Sequence, residues 1–303
     1  VELLTSEFRA MGSPCAVHVY ARERAAGEAL LERCRREIDR IERKYTRYRD
    51  DSLTAAINRS AGDARGIQVD AETASLLDYA DAAFRQSEGL FDITSGVLRR
   101  AWDFRSGRLP ERDEVAALLD CVGWSRVRWR RPHLVLPVPG MQLDFGGYVK
   151  EYAADRIAEL LRRHGARHGL VDLGGDLSIV GPHPGGAPWH VGIRDPRDGR
   201  RALRTLRVYG GGVATSGDYE RGMWVDGVRY SHLLDPRTGW PVDGPASVTV
   251  LATHCLIAGT GSSIAMLSGR AGADAWLARL GLPFLRVDRD GGVAERWELL
   301  GAA

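Results

Sequence analysis

A set of polar side chains in this 303-residue sequence falls where strands end or the chain turns: Asp92, Asp144, Lys150, Asp176, Ser216, Asp218, His232, Asp235 and Thr238. Two glycine turns lie among them. Phe145-Gly146-Gly147 and Gly174-Gly175-Asp176 allow the backbone to pass close to a ligand and to turn its amides toward an anion. An imidazole such as that of His232 can be neutral near pH 7 and accept a proton. Each feature also has a structural explanation. Aspartates before Gly or Pro usually make Asx-turns, a Gly-Gly pair before a helix usually closes a loop, and neither turn has the glycine spacing of a dinucleotide fingerprint or a P-loop. The pattern alone therefore points to a cofactor cradle without naming the cofactor.

The elements that must position these groups centre on residues 143–176. Strand-like runs at 134–136 and 141–143 lead into the first glycine turn, and a helix follows at once. Ala153, Ala154, Ile157, Leu160 and Leu161 recur on one face of that helix, while Glu151, Asp155, Arg156, Glu159, Arg162 and Arg163 occupy the polar face. Gly165 stops it. Residues 169–173 then read as a buried strand that ends in the second turn.

Upstream, 16–20 alternates as a strand and 26–45 reads as a long helix with Ala29, Leu30, Cys34, Ile38, Ile41 and Tyr45 on its apolar face. Asp70 is the candidate N-cap of a helix over 71–87, which ends at Gly89 before the apolar-plus-acid insertion Leu90-Phe91-Asp92-Ile93-Thr94. A short helix over 111–119 and strands over 127–136 complete the first half. Downstream, 189–193 and 203–208 read as neighbouring strands, 210–219 as a glycine- and hydroxyl-rich segment, and 230–239 as a strand running into a proline turn. A strand over 247–252, helices over 258–267 and 271–280, and short strands at 284–287 and 293–297 close the chain. No repeat or low-complexity linker divides it. The expectation is a single domain over 1–303, with two interleaved lobes as the alternative at this length.

Composition narrows the function. A formal charge of +2 from 42 basic and 40 acidic residues lacks the electrostatic footprint of a nucleic-acid binder. The 4 cysteines, Cys15, Cys34, Cys121 and Cys255, have no zinc-finger or CxxC spacing. No run approaches the roughly 18 apolar residues of a membrane span. The opening residues, from Val1 on, lack the layout of a secretion signal. The chain reads as soluble.

Taken in order, Met11-Gly12-Ser13, Tyr48-Arg49-Asp50-Asp51-Ser52, Phe91-Asp92-Ile93-Thr94, 144–155, Asp172-Leu173-Gly174-Gly175-Asp176, Thr215-Ser216-Gly217-Asp218-Tyr219 and 231–239 resemble the ApbE-type FAD:protein FMN transferases across nearly the whole chain. The resemblance implies an α+β, T-fold-like architecture. It also implies an enzyme that cleaves the pyrophosphate of FAD with Mg²⁺ and joins FMN by a phosphoester to a Thr or Ser of an acceptor flavoprotein. Matched position by position, Met11, Tyr48, Leu90, Phe91, Asp92, Asp144, Lys150 and Leu234 are expected to line the FAD site, with Lys150 near the phosphates or ribose. His232 is the expected general base. The Mg²⁺ ligands implied are the Gly147 carbonyl and an Asp-x-x-x-Thr pattern at the start of a late helix, where this chain carries Gly259 and Ser263. Glycine supplies no carboxylate, which leaves the loss to be compensated by pyrophosphate oxygens, by another acid such as Asp218, or by nothing at all. That departure motivates alternative readings, an FAD-binding protein without turnover and a pyrophosphatase releasing FMN and AMP. Relatives of this type are commonly exported lipoproteins, which favours the periplasm, and others act in the cytoplasm.

Overall fold

The computed structural model describes residues 1–218 and 222–297. The chain opens on a hairpin of β1 (Glu2–Ala10) and β2 (Ser13–Ala21), whose turn residues Met11 and Gly12 both have positive φ, 51° and 74°. Such a turn matches the twist of the strands it joins. Helix α1 (Arg24–Tyr45) buries Leu31, Cys34, Ile38, Ile41 and Tyr45 at helical spacing. Helix α2 (Leu53–Arg59) is capped by Ser52, whose hydroxyl accepts from the Ala55 amide. Strand β3 (Ile67–Gln68) precedes α3 (Ala71–Gln86), where Asp70 accepts from the Thr73 amide as expected of the N-cap.

A 3₁₀ turn at Ser95–Arg100, α4 (Arg112–Leu119), β4 (Arg128–Arg130) and β5 (His133–Val135) lead to α5 (Val149–Arg163). Then come β6 (Gly169–Leu173), β7 (Asp176–Gly181), β8 (Trp189–Asp195), β9 (Asp198–Val208) and β10 (Gly211–Gly217). The chain ends through β11 (Gly222–Val225), β12 (Val228–Ser231), β13 (Ser247–Ala252), α6 (Cys255–Leu267), α7 (Gly269–Leu280), β14 (Phe284–Val287) and β15 (Val293–Arg296). Among the described residues no helix is long and apolar enough to cross a membrane.

The organising element is an eight-stranded antiparallel sheet in the order β1-β2-β6-β7-β10-β13-β14-β15. Its strands alternate between two apolar environments. Val171 and Leu173 of β6, Ala214 of β10 and Val248 and Val250 of β13 join the main core with α1, α5 and α6. Leu170, Val213 and Leu251, from the same strands, face the other way and pack under the β8–β9 hairpin with Val208 and Trp189. Both faces being covered explains why 169–173 and 247–252 read as nearly continuous apolar runs.

The fold departs from the sequence expectation in particular places. β1 is an edge strand whose charged Glu2, Glu7 and Arg9 hide its alternation. Residues 141–143 are irregular rather than a strand, although Met141 and Leu143 are fully buried. The glycine-rich segment after 210 is a central strand, β10. A Cβ at Gly211 would collide with the Ala252 carbonyl oxygen and one at Gly212 with the Cys255 backbone. Close packing against β13 and α6 requires both glycines, and at Gly211 a positive φ of 82° adds a second reason.

Candidate active site

An aromatic chain holds the central turn in place. Phe145 packs on Tyr45 at 5.0 Å and on Tyr148 at 6.0 Å, and Tyr148 meets Phe91 edge-on at 5.8 Å. Tyr148 is fully buried with its hydroxyl donating to the Leu76 carbonyl. Each such pair adds about 1 kcal/mol beyond the area it buries. The loop bearing Phe91 and the turn bearing Gly146 and Gly147 are thus fixed to one buried ladder.

Beside that ladder opens a cleft enclosing about 730 Å³ of empty space, part of it continuous with bulk solvent. Leu90, Phe91, Asp92, Asp144, Gly147, His232, Leu234 and Ser263, all singled out by the sequence, converge on it from separate elements. Ile93, Ser95, Gly96, Arg99, Leu233 and Leu267 complete its lining.

The two aspartates of the wall are committed to scaffolding. Asp92 Oδ1 accepts from the Thr94 amide at 2.8 Å and the Thr94 hydroxyl at 2.6 Å, and Oδ2 accepts from the Trp124 amide at 2.9 Å. Burial pushes the Asp92 pKa above its ordinary value, and these hydrogen bonds oppose the shift. Asp144 Oδ2 pairs with Arg47 at 2.9 Å, while Oδ1 accepts from the Gly146 amide at 2.8 Å. Its backbone amide donates to the Ile93 carbonyl, stitching turn to loop. Gly96 backs this joint so closely that any Cβ there would strike the Asp144 side chain.

His232 enters the cleft just after β12. Its loop is held by the Leu233 amide donating to the Ser231 hydroxyl, by the Val242 amide donating to the Leu233 carbonyl and by a bridge pairing Leu234 with Pro241. The proline turn that follows closes on Asp235, whose carboxylate takes the Arg237 guanidinium and amide. Burial raises the Asp235 pKa, and the Arg237 contacts outweigh it, leaving a net lowering. From the far side, α6 presents Ser263. The Ser216 hydroxyl lies 2.9 Å from those of both Ser262 and Ser263.

Behind the cleft lies a buried charged cluster at the start of α5. Lys150 pairs with Asp176 at 2.7 Å. Burial works against the Lys150 ammonium, yet the Asp176 and Glu151 carboxylates hold its pKa above the usual lysine value. Burial likewise pushes the Asp176 and Glu151 carboxyls upward, with the lysine opposing. Glu151 is buried against α6 rather than lying on a solvated face, which corrects the sequence expectation. Asp155 is also turned inward, accepting from the Cys255 and Leu256 amides at 2.9 Å and capping α6 from another helix.

Met11, Tyr48 and Lys150 are expected site residues that do not line the cleft. Met11 sits in the β1–β2 turn with its amide on Glu42. Lys150 is within reach of the same region, because a Cβ at Gly174 would meet both Ser13 and the Lys150 Nζ. Tyr48 is 86% exposed, with the Arg47 that pairs with Asp144 lying 5.9 Å from its ring. Asp218, the acid considered as a stand-in for the missing metal ligand, is claimed by Arg289 at 3.0 Å. Tyr219 of that segment lies outside the described residues.

Sequence reasoning missed Arg99, the one arginine or lysine among the cleft-lining residues, and Glu151. Arg99 follows the motif 91–94 by little more than a turn, a spacing that would have marked it. Among the described residues no group of three His, Cys, Asp or Glu side chains is placed to hold a metal. Gly147 and Ser263, the two expected metal ligands, both line the cleft.

The chain is similar to known proteins over nearly its whole length. A model of the ApbE family matches residues 11–285. An FAD:protein FMN transferase of Treponema pallidum (strain Nichols) is 34% identical over 96% of this chain and 88% of its own length. One from Klebsiella pneumoniae (strain 342) is 32% identical over 81% and 76%. Among solved structures, an ApbE protein of Thermotoga maritima superposes with a TM-score of 0.85 at 32% identity, covering 97% of both chains. The apo form of the Pseudomonas stutzeri flavinyl transferase ApbE gives 0.88 at 28% identity, covering 100% of this chain and 98% of that one.

Proposed function

Because the chain belongs to the ApbE family, we propose that its cleft carries out FAD:protein FMN transfer. The protein is a transferase whose substrate is FAD. The observation that carries the site assignment is the convergence of the loop at 90–99, the turn at 144–147, the loop at 232–234 and Ser263 of α6 on one cleft.

The reaction breaks the bond between the two phosphates of FAD and forms a bond from the FMN phosphorus to an acceptor Ser or Thr oxygen. AMP leaves with the bridging oxygen. Leu90, Phe91, Leu234 and Leu267 supply apolar walls for the flat rings of the substrate. Arg99 brings a cation to its phosphates, and Lys150 supports the glycine turn at 174–175 through Asp176. His232 takes the proton of the acceptor hydroxyl as its oxygen attacks, the role of a general base. Packing of Phe145 and Phe91 on Tyr148 keeps the turn and the loop from separating when FAD enters.

Mg²⁺ fits the donors present, because they are hard oxygens: the Gly147 carbonyl and Ser263 hydroxyl at the cleft, with the buried acid Glu151 behind them. Bound there, it would neutralise charge developing on the phosphates.

Incubation with FAD, Mg²⁺ and an acceptor protein carrying a flavinylation Thr or Ser should give a flavin-fluorescent acceptor band on a denaturing gel. The variant His232→Gln should slow labelling by about 10²–10⁴-fold while FAD still quenches on binding. AMP release without labelling would sink the transferase assignment in favour of a pyrophosphatase. FAD binding with neither product would favour a binding protein.

A further inference from the structure

Gly259 and Glu151 share one small volume between α6 and α5. A Cβ built on Gly259 would lie 2.6 Å from Glu151 Cγ, 2.7 Å from Oε1 and 2.9 Å from Cδ. Its three nearest neighbours all belong to that one side chain. Either residue 259 bears a side chain or residue 151 does, and this chain has chosen residue 151.

One oxygen of the carboxylate so placed is unsatisfied. Glu151 Oε2 is buried and has no hydrogen-bond partner. The nearby ammonium, on Lys150, is already held by Asp176 at 2.7 Å. Two buried carboxylates therefore share one lysine, and the one left without a partner must take up either a proton or a cation. The surroundings supply neutral oxygens. Ser263 lies one helical turn beyond Gly259 on the same face of α6, and Gly147 lies just before the first turn of α5; both line the cleft. One carboxylate, one carbonyl and one hydroxyl, with room for water and phosphate oxygens, suit a small hard divalent cation.

We propose that Glu151 is the acidic ligand of a divalent cation held with the Gly147 carbonyl and the Ser263 hydroxyl, delivering from α5 the carboxylate that α6 lacks at Gly259. The proposal rests on the flavin transferase reading for the purpose of the cation, but not for its existence. Asp218 is excluded from the role by its pairing with Arg289.

Mn²⁺ alone, titrated into the 303-residue protein without FAD and followed by the loss of its free EPR signal, tests this directly. Glu151→Gln should weaken Mn²⁺ binding by roughly 10-fold or more, since even the loss of outer-shell partners costs 10–100-fold. The exchange variant Glu151→Gly with Gly259→Asp should regain binding to within a few-fold of the parent, because it returns a carboxylate to the same volume from the opposite helix. Thermal melting and FAD quenching report whether each variant is folded. Undiminished Mn²⁺ binding by Glu151→Gln overturns the proposal. So does a folded exchange variant that binds no better than Glu151→Gln, or a parent protein that binds no Mn²⁺. A failure of FMN transfer by the parent protein with the Mn²⁺ pattern intact would instead refute the functional reading and leave the metal site standing.

Discussion

Asp92 and Glu151 are both buried acids of the same site, and they differ in what their oxygens do. Asp92, in the cleft wall, gives both oxygens to the Thr94 and Trp124 amides and the Thr94 hydroxyl. Glu151, in the cluster behind, keeps Oε2 idle. A carboxylate whose lone pairs are engaged by nearby amides and hydroxyls shapes a loop, and one with an oxygen left unengaged in a dry place is ready for something not yet bound. The wall is therefore scaffold built for shape, and the cluster is scaffold built for charge.

The largest effect expected from that contrast is in the wall. Asp92→Ala strips three donors of their acceptor and should cost about 3 kcal/mol in urea unfolding. A loss under about 1 kcal/mol would erase the distinction by showing that the loop does not depend on its acid.

Glu72 offers an intermediate case, an acid spent in full on partners at the protein surface and just beneath it. Burial raises its pKa, yet hydrogen bonds from Arg40, Lys44 and Tyr152 outweigh this and draw it down to about 2. A depressed folded pKa stabilises the protein above the unfolded value near 4.5, and that stabilisation fades as pH falls from there toward 2. After solvent screening the contribution should be about 1 kcal/mol. Glu72→Gln should therefore flatten the acid limb of a stability profile and leave the slope above pH 6 unaltered. An acid limb as steep as the parent's would assign the loss to other groups.

The smallest effect belongs to the cluster. Without metal, Glu151→Gln should alter stability by less than about 1 kcal/mol, or raise it, because burial already pushes that carboxyl toward its neutral form and the change breaks no hydrogen bond that Oε2 makes. A loss as large as that of Asp92→Ala would mean that Glu151 is scaffold after all.

Local chemistry made much of this legible. The Asp70 cap, the helix at 26–45 and the strand at 247–252 announce themselves through neighbouring residues, and the structure places α1, α3 and β13 there. The residues that converge on the cleft were legible only through the ordered motifs, since Leu90, Asp144, His232 and Ser263 taken singly also suit plain scaffold and it was the resemblance that put them at one site. What escaped was decided at long range. β10 carries glycines because β13 and α6 press on it, so its composition imitates a loop. Glu151 stands among Asp155, Arg156 and Glu159 on an apparently solvated helix face. Only the absence of a side chain at Gly259, on a different helix, turns it into the interior. Arg99 went unnoticed because an arginine in a polar stretch ordinarily faces water.

The most direct test of the site as a whole is a crystal of the protein with FAD and Mn²⁺, read by anomalous scattering at the manganese edge. FAD should lie in the cleft against Phe91 and Leu234, with a manganese peak bounded by the Gly147 carbonyl, the Ser263 hydroxyl, the Glu151 carboxylate and the diphosphate. A cleft without FAD, or a peak remote from Glu151, would contradict the account.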